Sequence, residues 1–145
     1  FVIYFSVGSV FAGAGSLLNA RLVLRLGMRW LAGAAIAALT VMSAALWGWM
    51  LLDGAVAFWL FMVWQVSFIF CIGMIFGNLQ SLAMEHLGHV AGLAAAIFGA
   101  GSTFISLPLS WMVSGYFGDT VAPLLIGFAV SGALSLGLML LAGRR

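Results

Sequence analysis

The chain is 145 residues long and carries only eight charged side chains, five Arg and three acidic residues, where an ordinary soluble domain of this size holds roughly 36. Apolar residues make up 66% of it, more than a globule can hide when about a third of the unfolded surface stays exposed after folding, so a water-soluble domain is excluded. Six Trp, two Tyr and twelve Phe exclude disorder, a single Cys excludes a disulfide scaffold, and five Arg in two short stretches do not make the basic surface of a nucleic-acid binder.

A membrane protein remains, and the charges divide it. Residues 1–20 are uncharged and precede the cluster Arg21, Arg25 and Arg29. Four further uncharged runs end at Asp53, at Glu85, at Asp119 and at Arg144–Arg145. A bilayer core of about 30 Å takes about 20 helical residues, so each run is long enough for one crossing and too short for two. Five transmembrane helices are predicted, near 1–20, 30–52, 55–82, 90–116 and 121–142. A β-barrel would instead show short alternating segments, and none occurs. The fold class is therefore an all-α membrane protein, a single transmembrane region over 1–145 whose partner is the lipid bilayer.

Taken in chain order, Phe1 opens directly inside an apolar run with no positive n-region and no cleavage site, so the first span is not a signal peptide. The expectation is a fragment of a larger protein. Asp53 and Gly54 predict a very tight turn that makes the second and third spans antiparallel neighbours. Pro108 falls within the fourth span, where a missing N–H predicts a kink. Gly118, Asp119 and Thr120 supply a turn and a cap, and Pro123 suits the first turn of the last helix. Small residues recur every four positions: Gly8, Ala12, Ser16 and Ala20; Gly73, Gly77 and Ser81; Gly88, Gly92, Ala96 and Ala100; Gly127, Ser131 and Ser135. Such stripes let helix backbones approach closely in lipid.

Strict alternation puts the 21–29 loop, the 83–89 loop and the C-terminus on one side, together with all five Arg. By the positive-inside rule that side is cytoplasmic, and the expected location of this multi-pass protein is the cell (inner) membrane.

Sequences that might carry chemistry are few. Glu85, His86 and His89 read E-H-x-x-H, not the H-E-x-x-H of an intramembrane zinc protease, so neither a metal site nor an enzyme is expected. No Asp, Glu, Lys or Arg lies inside a span, which leaves no proton relay here. The deep polar residues are Gln65, then Asn78 and Gln80. Around Gln65 stand Phe58, Trp59, Phe61, Trp64, Phe68 and Phe70. These form either the wall of a substrate cavity, with Gln65 orienting a drug-like ligand, or lipid-facing aromatics around one buried amide. Arg21 or Arg25 paired with Glu85 would latch one conformational state; the alternative is topology-setting Arg and a helix-capping Glu.

Two stretches resemble a known family. Gly15-Ser16-Leu17-Leu18-Asn19-Ala20-Arg21-Leu22-Val23, continuing to Arg25-Leu26-Gly27-Met28-Arg29, resembles the loop after helix 8 of major facilitator superfamily transporters. Gly77-Asn78-Leu79-Gln80-Ser81-Leu82-Ala83-Met84-Glu85-His86-Leu87-Gly88-His89-Val90-Ala91-Gly92 resembles the helix 10–11 junction of the Bcr/CflA (bicyclomycin-resistance) drug-efflux branch. The matches fall on Asn78, Leu82, Ala83, Met84, Glu85, Gly88, His89, Ala91 and Gly92; Gly77 and His86 stand where the pattern has Pro, and Leu93 where it has Thr. The resemblance implies helices 8–12 of a twelve-helix drug:proton antiporter, whose other partners are the missing N-terminal helices and a small-molecule substrate. It implies no cofactor beyond a proton gradient. It places Gln65, Trp64, Phe68, Phe61 and Asn78 on a helix that lines the cavity, and Asn19, Arg21, Arg25, Gly27, Arg29, Glu85, Gly88, His89 and Gly92 in cytoplasmic gating motifs. The other reading is a five-helix membrane subunit or scaffold that transports nothing.

Overall fold

Each long uncharged run folds into one helix. The computed structural model describes residues 2–85, 87–115 and 120–142, with side chains from residue 8 onward. Helix α1 covers Val2–Leu26, α2 Met28–Asp53, α3 Phe58–Met84, α4 Ala91–Gly115 and α5 Ala122–Ala142, and a single 3₁₀ turn, Gly88–Val90, leads into α4. Four segments are long and apolar enough to cross a membrane: α2, α3, the stretch Gly88–Gly115 that contains α4, and α5. The chain is an all-α, multi-pass membrane protein. Helix α1, whose described side chains run from Gly8 through Asn19, Arg21 and Arg25, is not among the four.

The ends of the helices differ from expectation. The expected loop 21–29 shrinks to one residue: Arg21 and Arg25 lie in the last turns of α1, Arg29 in the first turn of α2, and only Gly27 interrupts the helix. Arg is a good helix former with a long stem that reaches headgroups and water, so a helix can run past the apolar core without a break. Gly27 makes the corner at φ +81, a conformation that favours glycine. Its N–H donates to the Val23 carbonyl at 3.0 Å and its carbonyl accepts from Leu31 N–H at 3.2 Å. At the other end of α2, Gly54 adopts φ +75 and donates to Met50 O at 2.9 Å, a left-handed C-cap. The turn expected at Asp53–Gly54 is wider than two residues, because α3 starts only at Phe58. Helix α4 continues on both sides of Pro108, and Pro123 lies in the first turn of α5. The turn at Gly118 and Asp119 lies outside the described residues.

Helix α2 occupies the middle of the bundle, with α3 and α5 packed against it and α1 lying along α3. Its inward stripe, Leu31, Ala32, Ala35, Ile36, Leu39, Ser43 and Leu46, repeats every three to four residues. Near the arginine-bearing end, Leu31, Ala35 and Leu39 close on Cys71 and Met74 of α3. Toward the other end, Leu46, Trp64 and Leu125 bring α2, α3 and α5 together. Small residues set the closest approaches. A Cβ on Gly73 would stand 3.1 Å from the Ala12 carbonyl, one on Gly8 2.7 Å from Ile69 Cδ1, and one on Gly127 2.9 Å from Val113 Cγ2. A Cβ on Gly15 would run into the Phe70 carbonyl oxygen. The expected stripes on α1, α3 and α5 thus include real contact points, but Gly77, Gly88 and Gly92 have open space within 4 Å. Small side chains permit close packing in lipid; they do not compel it.

Candidate functional site

Of the aromatic residues singled out on α3, Phe61, Trp64 and Phe68 gather, around helix packing, whereas Phe58 and Trp59 are exposed and Phe70 lies against Gly15 of α1. Trp64 is 2% exposed. Its Nε1–H donates to Ser43 Oγ at 3.0 Å, which satisfies the one polar group of the ring in an apolar setting. Phe61 and Phe68 stack on it with centroids 5.6 Å away on each side. Phe128 of α5 meets Phe68 edge-on at 4.5 Å and Trp64 at 5.7 Å. Periodicity alone gave no sign of Phe128. Ser43 was also missed, although a small polar residue between Leu39 and Leu46 on one helical stripe was a usable signal. Trp64 therefore ties three helices together, and it also lines a groove with Trp49, Trp59 and Leu60.

Gln65 stands apart from that cluster. Adjacent helical residues point about 100° apart, and Gln65 shares its face of α3 with Ile69, the residue that meets Gly8 of α1. It is half-buried, and its amide has no hydrogen-bond partner among the described residues.

Asn78 lies about 20 Å farther along α3 than Gln65, thirteen residues on at about 1.5 Å each. It is 3% exposed. Its Nδ2 donates to Asn19 Oδ1 at 2.6 Å, and Asn19 Nδ2 donates back to Asn78 Oδ1 at 3.2 Å. The two amides satisfy each other across the α1–α3 contact. This pair joins the loop-motif stretch to the helix-junction stretch, a connection that neither stretch reveals alone.

The remaining motif residues cluster at the same end. Arg21, Arg25 and Arg29 are exposed. Arg29 Nη2 donates to the Met139 carbonyl at 2.6 Å, one of the last four carbonyls of α5, which have no partner within their own helix. A cation there also faces the negative end of the helix dipole. Glu85 follows the last turn of α3 and is exposed. Among the described residues it forms no ion pair with Arg21 or Arg25, so the expected latch is open in this conformation. Gly88, His89 and Gly92 are exposed at the start of α4, and His86 lies outside the described residues. Pro108 is exposed on α4, far along that helix from the Arg cluster.

The structure thus separates what the sequence grouped: an aromatic–hydroxyl core, an isolated half-buried amide, and an amide pair beside an arginine-rich end. All deep polar groups are neutral. They can orient a neutral polar or aromatic ligand by hydrogen bonding, and they offer no carboxylate or imidazole for proton transfer. No family model matches the chain, and no curated protein or solved structure matches it.

Proposed function

We propose that the chain is the helix 8–12 part of a proton-coupled drug exporter of the major facilitator type, crossing the membrane five times with its arginine-bearing end in the cytoplasm. The observation that carries the reading is the Asn19–Asn78 amide pair. It binds together the two stretches on which the resemblance rests, and it holds α1 and α3 in register at the end where the halves of such a transporter rock against each other. On this reading Gln65, whose amide has no hydrogen-bond partner among the described residues, faces the substrate path, and proton coupling falls to residues outside this stretch. A second reading, a five-helix subunit or scaffold without transport activity, is favoured by α4, which has no buried residue and so invites a partner.

The test is to read the coding frame upstream of the Phe1 codon and express what it encodes. The expected result is further hydrophobic spans, one with an intramembrane carboxylate, and dye efflux that stops when the proton gradient is collapsed. A frame without such spans, or efflux indifferent to the gradient, overturns the exporter and leaves the scaffold.

A further inference from the structure

A groove of about 420 Å³ runs between α2 and α5 from the arginine-bearing end toward the middle of the bundle. At its head stands Arg29, and beside it Trp30, 60% exposed. Its floor on α2 is Gly33, Ala34 and Ala37, with Leu136 on the α5 side. The groove exists because those three small side chains leave space where large ones would have closed α2 on α5.

From Arg29 to Ala37 is eight residues, about 12 Å of helix, most of the depth of one leaflet. An occupant must therefore have one polar head and one apolar tail. The head is specified by charge. Arg29 spends one N–H on Met139 O and keeps the rest of its fork, held in place by that bond, for an oxyanion. A guanidinium presents paired donors that match phosphate geometry. Arg21 and Arg25 add positive charge at the same end, against Glu85 alone among the described carboxylates there. Trp30 suits the headgroup level, where an indole has one wet and one apolar side.

We propose that this groove is a binding site for an anionic phospholipid, its phosphate on Arg29 and one acyl chain along Gly33, Ala34 and Ala37. The site is independent of the transport reading.

The test uses the whole chain in lipid nanodiscs and brominated lipids, which quench nearby indoles. The Trp30 signal is the difference between the unaltered chain and Trp30→Phe. Half-quenching of that signal is expected at about fivefold lower mole fraction of brominated phosphatidylglycerol than of brominated phosphatidylcholine, the factor that one surface cation supplies. Arg29→Gln loses the charge and brings the two lipids together, while Arg25→Gln leaves the preference in place. Ala34→Leu with Ala37→Leu fills the floor and weakens quenching by both lipids. Equal quenching by the two lipids in the unaltered chain overturns the site without reliance on any variant's folding. Equal loss in Arg25→Gln and Arg29→Gln overturns it too, because a diffuse surface attraction would then account for the preference.

Discussion

Asn19 and Asn78 show how a membrane interior changes the value of one side chain. In water two facing amides exchange one set of hydrogen bonds for another and gain little. In lipid the alternative to pairing is an amide facing hydrocarbon, although measured gains for such interhelical bonds average only about 0.6 kcal/mol because other partners are found. The pair here is reciprocal, and Asn78 is almost wholly enclosed, so it should sit toward the upper part of that range. Asn78→Leu is expected to lower stability by about 1–2 kcal/mol, since it strands the Asn19 amide. Asn19→Leu should do much the same, and the double variant should lose less than the two single losses combined. Unfolding titrations of the four proteins in mixed micelles measure this. Strict additivity would mean that the amides do not cooperate.

At the scale of helices, contact rests on a few positions where backbones come close. Gly132 of α5 is the sharpest of them between α5 and α2: an added Cβ would collide with Thr40 Oγ1. That hydroxyl is not free to swing aside, because it donates to the Ile36 carbonyl at 2.7 Å. Gly132→Ala should therefore be destabilising by about 1–3 kcal/mol, the usual cost of overpacking. The same change in a Thr40→Ala background should cost far less, and the difference between backgrounds reads the collision directly. Equal costs in both backgrounds would place the strain elsewhere. The number and order of the helices were legible in the sequence, because bilayer thickness sets the length of an uncharged run that forms one helix, although among the described residues four of the expected five segments are long and apolar enough to cross. Their faces were not. Without a hydrophobic drive between helices in lipid, a side chain that points at a neighbour and one that points at lipid are equally apolar. Trp64 and Trp111 make the case: both sit in apolar helical runs, yet one is 2% exposed and the other 77%. The candidate site was legible to the same degree. Asn19 and Asn78 were visible as polar positions, but nothing local could pair residues 59 apart; Gln65 was visible, but its separation from Trp64 by a helix face depended on where α1 and α5 dock.

For the whole molecule, the unevenness of packing matters most. Helices α1, α2, α3 and α5 share close contacts, whereas α4 meets α3 and α5 sparsely and buries none of its residues. Phe104 and Trp111 on α4 lie largely bare, which suits lipid, further helices or both. The direction in which this bundle is threaded decides what α4 can meet, and the charges predict it. Arg21, Arg25 and Arg29 mark one end of α2 and Asp53 the other, and α3 starts just beyond Asp53. Loops rich in Arg remain in the cytoplasm. Cysteines placed at Ala55 and at Leu87, one on each side of α3, report the sidedness in a Cys71→Ala background. An impermeant maleimide added to intact cells is expected to label Ala55→Cys and to spare Leu87→Cys until the cells are opened. The opposite pattern would turn the bundle over and put the arginine end outside. Labelling of both sites in intact cells would mean that α3 does not cross, and the count of crossings drawn from run length would fail with it.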